Sequence, residues 1–388
     1  MNHIALHILQ PFPATCLNRD DVGAPKSMIF GGVTRARVSS QCWKRAIRLL
    51  ARQFSPDYFA GDRTRRAADD LAAALKKLGL DEAEPTAAAV CRAFLSDKET
   101  KPKAKTKGKK AKPEADLPEE TDDDAGLPDS QTSTLLYFSP GEIQAMAEAI
   151  VKAKGAGDDV QKAASAAANK FTRKDAIDIA IFGRMVANDP TLNIEGAGLF
   201  AHAFSTHKCD NDLDFWTAVE DRKRPGDDAG AANMGHAEFN SACYYRYIAL
   251  NLDQLYYQKN EKAEPAATLK ELLKQNVKTR REIVGAFLRA ALLAVPSAKQ
   301  NSLNGHALPE FALGLVSSGQ PFQLANAFES PVRANGHGWL APSIDAMDKH
   351  HAKLKKIFSL PRVIREEVRL SEETPLDTFI EKLAAHVS

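Results

Sequence analysis

The sequence predicts an α+β protein in which long insertions interrupt a small sheet-and-helix core. Three observations carry this expectation: strand-like alternation near the start of the chain and again near its end, amphipathic helical stretches between them, and no internal repeat. With 388 residues and 44% hydrophobic content, the chain suffices for one large elaborated domain or two ordinary ones around a real core.

In chain order, His3 to Leu9 places Ile4, Leu6 and Ile8 on one face and His3, Ala5 and His7 on the other, which predicts a strand ending at Pro11 and Pro13. Cys16 to Ser40 reads as polar and irregular, with Gly31-Gly32 suited to a tight turn or close backbone approach to a ligand. Ser39 and Ser40 offer N-caps for a helix to about Phe54. Its apolar stripe is Trp43, Ile47, Leu50 and Phe54, and Lys44, Arg48 and Arg52 lie on another face. Helical stretches follow at about Arg63 to Leu78 and Thr86 to Leu95.

Residues 97–131 are lysine-rich, then acidic, with almost no large apolar side chain, which predicts a disordered surface loop. Ser139-Pro140-Gly141-Glu142 has the form of a capping box and starts a helix to about Lys154. Residues 176–186, AIDIAIFGRMV, read as a buried strand, and Leu199 to Arg246 as an extended hairpin-like excursion with a loop at Pro225 to Gly230. The remainder reads as a long amphipathic helix (Thr268 to Val295), a strand (Glu310 to Ser317), a helix (Ile344 to Phe358), a strand (Val363 to Leu370) and a helix (Leu376 to Val387).

The opening residues lack the basic flank, apolar run and cleavage site of a secretory signal, and no stretch approaches the roughly 20 apolar residues of a membrane span, so the expected location is the cytoplasm, with no membrane partner. Cys16, Cys42, Cys91, Cys209 and Cys243 are scattered and odd in number, forming neither a disulfide framework nor a CxxC metal knuckle, and are expected as reduced, mostly buried thiols. The net charge of +2 says little by itself. Residues 1–55, however, hold eight cations (Arg19, Lys26, Arg35, Arg37, Lys44, Arg45, Arg48 and Arg52) against Asp20 and Asp21, a candidate phosphate-binding footprint.

The run CLNRDDVGAPKSMIFGGVTRARVSSQCWKRAIR (16–48) joins a basic loop to a helix N-terminus and then to cations one turn apart, which suits a polyanion. The plainer reading is a surface loop and a solvated helix face. This run resembles the start of the CasC-type backbone subunit of type I-E Cascade, in the Cas seven family. Four further segments match in the same order: DIAIFGRM (178–185), AHAFSTHKCDNDLDFWTAVED (201–221), MGHAEFNSACYYRYIALNL (234–252), and VPSAKQ (295–300) followed by LANAFESPV (324–332).

The resemblance implies a hand-like fold: a modified RRM-like (ferredoxin-like) palm, a helical finger insertion and a β-hairpin thumb. Residues 1–55 would then hold the first palm strand, basic loop and helix; 56–175 the fingers, including the tract 97–131; 176–200 a palm strand; 201–246 the thumb; and 247–388 the rest of the palm and the C-terminal helices. The implied partners are a CRISPR RNA, target DNA paired to it, further copies of the chain and other Cascade subunits, with no cofactor and no catalysis.

Carried over residue by residue, Arg19, Lys26, Ser39, Gln41, Lys44 and Arg48 would grip the RNA backbone, Met185, Trp216 and Met234 would insert beside a flipped base, and Lys299 would add an RNA contact. Phosphate contact reads no sequence, and apolar side chains stack on any base. The family has Trp before Phe where this chain has Phe215-Trp216, so either aromatic is a candidate to face RNA.

Two rival functions stay open. Asp20 or Asp21 would serve a metal-dependent endoribonuclease, the blander role being neutralisation of the basic loop or packing against a neighbouring subunit. The chain would alternatively bind single strands without partner proteins. His202, His207 and His236 fit no standard zinc spacing and are expected to be structural. No RNP1-like octapeptide is present, so the sheet face is not expected to stack bases as a free RRM does.

Overall fold

The computed structural model describes residues 2–94, 132, 134–170, 175–186, 189–218, 233–256, 276–334, 336 and 338–388. The tract 97–131, the loop 225–230 and the helical reading of 268–275 lie outside the described residues. The chain forms two compact units, one of Met1–Pro56, Ala197–Tyr256 and Leu273–Ser388, the other of Asp57–Gly196 and Tyr257–Leu272.

The first unit opens with β1 (Asn2–Thr15), followed by β2 (Ser27–Phe30), β3 (Val33–Val38) and α1 (Ser40–Phe54). β1 runs through both prolines instead of ending at them. Its pairing with the later strand 311–318 stops at Leu9, and only the 233–251 strand accompanies it beyond, so the missing proline N–H groups cost little there. The segment expected to be irregular contains the β2–β3 hairpin, closed by Gly31 and Gly32 at φ +60° and +76°. A Cβ on Gly31 would lie 1.6 Å from the Glu329 carbonyl oxygen, so the turn requires glycine.

The second unit holds β4 (Asp62–Thr64), α2 (Ala67–Lys77), α3 (Ala83–Ala93), β5 (Leu136–Phe138), α4 (Pro140–Ala156), α5 (Val160–Lys170) and α6 (Ile177–Phe182). Leu71, Leu75, Val90, Phe94, Met146 and Ile150 share its core. The capping box forms as expected: Ser139 Oγ accepts from Glu142 N–H, and Glu142 accepts from Ser139 N–H. The expected strand at 176–186 is a correction, because Ile177–Phe182 is a buried helix ended by Gly183 at φ +82°. A short, fully buried apolar run has no periodicity to separate helix from strand.

The chain then returns to the first unit with β6 (Gly198–Phe200), β7 (Ala203–Ser205), β8 (Asp212–Ala218), β9 (Asn233–Asn251), α7 (Leu252–Tyr256), α8 (Val277–Leu293), α9 (Gln300–Leu303), β10 (Phe311–Ser318), α10 (Leu340–Ile357), β11 (Ile364–Arg369) and α11 (Leu376–Ala384). Its antiparallel sheet runs β11-β10-β1-β9-β7-β3-β2, with β6 and β8 also paired to β9. Both faces of β1 are buried. Met347 of α10 joins the cluster of Leu9, Tyr245 and Leu313 on one face. On the other, Gly314 opposite Leu6 leaves room for Phe379 and Leu383 of α11.

Arg246, opposite Ile8 on that second face, fixes α1 and α8 on the sheet. Its buried guanidinium donates to Gln10 Oε1 and, at 2.6 Å, to the Ala291 carbonyl, and lies 3.7 Å from the Trp43 ring centre. Burial lowers its pKa to about 9. Of the apolar stripe expected on α1, Trp43 and Ile47 are buried together with Ala51, whereas Leu50 is half-buried and Phe54 exposed.

Candidate nucleic-acid interface

The loop after β1 is folded on itself. Asp20 Oδ1 accepts from the N–H groups of Val22 (3.1 Å) and Ala24 (2.9 Å), and Asp20 N–H donates to the Ala24 carbonyl at 2.8 Å. Asn18 ties this loop to α1: its side-chain oxygen accepts from Ser39 N–H at 2.8 Å, and its carbonyl accepts from Lys26 N–H at 2.9 Å. Ser39 is the N-cap, its Oγ accepting from Cys42 N–H at 3.3 Å. Arg19, Asp21 and Gln41 are exposed around this junction.

An open cleft of about 500 Å³ lies here, lined by Leu17, Asn18, Arg19, Asp20, Cys42 and Ala298 among others. A second, of about 390 Å³, continues along α1 past Arg45, Leu49 and Gln53 to Ala298 and His306. Cys42 and Ala298 line both, so the two form one groove. Lys299 follows Ala298 in the left-handed region at φ +48°, a strained position for a residue with a Cβ, and Asn304 on the far side of α9 is similar at φ +44°. Burial raises the Cys16 thiol pKa, while Lys299 and Arg19 pull it the other way, so both cations act on the same point. Arg19 and Arg45 thus give the groove a cationic lining, with Lys299 next to Ala298 at its edge.

The structure divides the expected phosphate contacts. Arg19 lines the groove, and Lys299 follows its lining residue Ala298 and acts with Arg19 on Cys16. Ser39 serves as a cap and Lys26 is half-buried with its backbone bonded at both N–H and C=O, the latter accepting from Arg37 N–H at 2.8 Å. Lys44 sits 5.1 Å from the Phe200 ring centre, where burial lowers its pKa, and Arg48 is half-buried; neither lines the groove. The helix face that does carries Cys42, Arg45, Leu49 and Gln53, so Arg45 is the cation that the Lys44-Arg48-Arg52 grouping passed over. Arg35, counted in the basic footprint, is fully buried and donates to the carbonyls of Phe30, Ser205, Phe328 and Glu329, a correction to its reading as surface charge.

The expected hairpin is present as β8 paired with the first part of β9, and every residue of β8 is exposed. Strand alternation sorts its side chains. Asp212, Asp214 and Trp216 share one face with Gly235; Leu213, Phe215 and Thr217 share the other with Met234, His236 and Glu238. Trp216, 43% exposed, lies over Gly235, where an added Cβ would be 2.7 Å from its ring. Trp216 and Met234 are therefore on opposite faces, and the aromatic beside Met234 is Phe215, 63% exposed.

Met185 belongs to the second unit and is 83% exposed. Its neighbours are pinned: Arg184 and Ile194 exchange backbone hydrogen bonds, and Val186 N–H donates to Asn193 Oδ1 at 2.6 Å. Arg184 is buried, donating to Glu142 at 2.9 Å with its guanidinium 5.0 Å from the Phe138 ring centre.

The three histidines have separate settings. His207 donates from Nδ1 to the Lys208 carbonyl and accepts at Nε2 from Cys243 N–H, stacked on Trp339 with ring centres 4.0 Å apart. His202 Nδ1 accepts from Arg37 at 3.1 Å, and His236 is exposed on the ribbon. Among the described residues no three His, Cys, Asp or Glu side chains converge to hold a metal. All five cysteines are free, Cys42 half-buried and the others buried, and burial raises the Cys42 thiol to about 11.

No curated protein matches the chain. Among solved structures, a chain of a "CRISPR RNA-guided surveillance complex, pre-nicking" is similar to it with a TM-score of 0.72 and 28% identity, over 100% of both chains. A chain of a second "CRISPR RNA-guided surveillance complex" shares the fold at a TM-score of 0.56 and 21% identity, over 99% of this chain and 98% of that one. The family model described as CT1975-like protein matches residues 4–386, and the chain therefore belongs to the CT1975-like protein family.

Proposed function

We propose that this chain is a non-enzymatic, RNA-binding backbone subunit of a type I-E Cascade complex in the cytoplasm. Several copies line up along a CRISPR RNA and present it for pairing with target DNA in antiviral defence. The observation that carries the reading is the end-to-end likeness, at 28% identity, to a chain of an RNA-guided surveillance complex. The geometry supports it. Arg19 and Arg45 on the groove, with Lys299 beside it, offer phosphate contacts without sequence readout, as a protein that accepts any spacer needs. Phe215 and Met234 supply an exposed apolar face against which any base can stack. Both faces of β1 are covered, so in an RRM-like palm the RNA runs over the loop and α1 and not across the sheet.

Expression of the full chain with its neighbouring Cas subunits and a guide tests the assembly. A particle holding one RNA of discrete length is expected, and recovery of the chain without RNA or partners sinks the reading. Incubating that particle with guide-matched RNA and Mg²⁺ tests the absence of catalysis, intact target being expected. Regularly spaced cuts lost in Asp20→Asn or Asp21→Ala would establish the endoribonuclease instead. Asn suits position 20 because its amide oxygen still accepts from Val22 and Ala24.

A further inference from the structure

The C-terminal end of α10 carries a second charged surface, outside the groove and the ribbon. Residues 345–369 hold seven cations against four carboxylates, and each carboxylate already has a partner. Asp345 pairs with Lys349, Asp348 with Arg369, Glu367 with Lys355 and Glu366 with His386. Lys353, Lys356, Arg362 and Arg365 remain exposed, with no ion-pair partner among the described residues. The Arg369–Asp348 and Glu367–Lys355 pairs align β11 antiparallel to α10, which brings Arg365 to the end of the helix. Val316 pairs with Glu366 and Ser317 with Ile364, so Arg365 is the extra residue of a β-bulge, a device that re-aims a side chain at a sheet edge.

Lysines at a helix C-terminus also stabilise the helix dipole, and that alone would explain Lys355 and Lys356. It does not explain Ile357 and Phe358, which stand 59% and 66% exposed among the cations. Cations interleaved with an exposed aromatic are the chemistry of single-strand binding: charge tracks phosphates, and the ring takes an unpaired base that a duplex would keep stacked.

We propose that Lys353, Lys356, Arg362 and Arg365, with Ile357 and Phe358, form a second binding surface for a single-stranded polynucleotide. This goes beyond the guide-binding reading and does not depend on it.

The test uses the full-length protein and a 20-nucleotide oligo-dT bearing 5-bromodeoxyuridine, with cross-linked peptides identified by mass spectrometry. Cross-links are expected in residues 353–365, separately from any in 16–48. In the K353A/K356A/R362A/R365A variant the former disappear and the latter persist. Affinity for the probe falls at least tenfold and the salt slope by about two to three, as four lost phosphate contacts require. All four side chains are exposed, so folding is retained, and Phe358→Ala alone should remove the aromatic cross-link with the salt slope unchanged. Wild-type protein cross-linked only within 16–48 would overturn this surface while leaving the guide-binding reading intact. A fourfold variant that binds the probe like wild type but changes mass by light scattering would make the patch a protein contact, which also overturns it.

Discussion

Trp216 spends much of its indole surface on Gly235, whereas Phe215, across the ribbon, faces solvent beside Met234. If guide binding uses this ribbon, Phe215→Ala should cost about 1 to 3 kcal/mol per lost stack, and Trp216→Ala should cost less in binding while loosening the ribbon. Fluorescence anisotropy of guide RNA with each variant separates them; a larger loss for Trp216→Ala would put the base on the acidic face. Lys299 gives a second test with opposed signs. Its left-handed backbone costs on the order of 1 kcal/mol for a residue with a Cβ. Lys299→Gly should therefore raise stability and Lys299→Gln leave it unchanged, while both weaken RNA binding by removing one cation from the edge of the groove. Equal binding by all three forms would exclude Lys299 from the interface.

At the scale of elements, α4 is fixed by a bond that serves two purposes. Glu142 closes the capping box with Ser139 and also neutralises Arg184, whose side chain is buried. Glu142→Gln keeps an acceptor for the cap but leaves the guanidinium without its counter-charge, so it should cost about 3 to 5 kcal/mol in urea denaturation. Ser139→Ala should cost nearer 1 kcal/mol.

The cap was legible in the sequence because four consecutive residues, Ser139 to Glu142, spell it out. Helix α1 and strand β1 were legible because the 3.6-residue spacing of Trp43, Ile47 and Leu50 and the twofold spacing of Ile4, Leu6 and Ile8 are local. α6 was not, since burial on every side erases periodicity, and β2–β3 was not, since Arg35 hides a core position behind a polar letter. The groove was legible only in part. Arg19 and Lys299 came from motif likeness, whereas Arg45 shows only once α1 packs and one of its faces turns to residues 293–298. The division of the ribbon into faces needed the Phe215–His236 register, which no single strand encodes.

At the scale of the molecule, the four histidines buried among the described residues set a response to acid. His3, His7, His207 and His351 all have pKa values lowered from 6.5, chiefly by burial, and His7 is lowered to about 3. His7 Nδ1 is hydrogen-bonded to Tyr245 OH at 2.9 Å, its ring lies tilted against Tyr247 with centres 5.2 Å apart, and His351 is the charge-bearing neighbour that disfavours its protonation further. Between each folded-state pKa and 6.5 the unfolded chain binds more protons than the native one, so stability rises with pH in that window. It is fully present above about pH 6.5 and is lost as pH falls toward each lowered value. His7 alone should account for about 3 kcal/mol of loss by pH 4. Urea midpoints should therefore hold level from pH 7.5 to about 6.5 and fall from there to pH 4.5. His7→Asn, whose side-chain oxygen can occupy the Nδ1 position beside Tyr245 OH, should flatten that dependence by about one proton's slope. An unchanged slope in His7→Asn would mean that His7 stays neutral in the unfolded chain as well, or titrates alike in both states, and would remove it from the acid response.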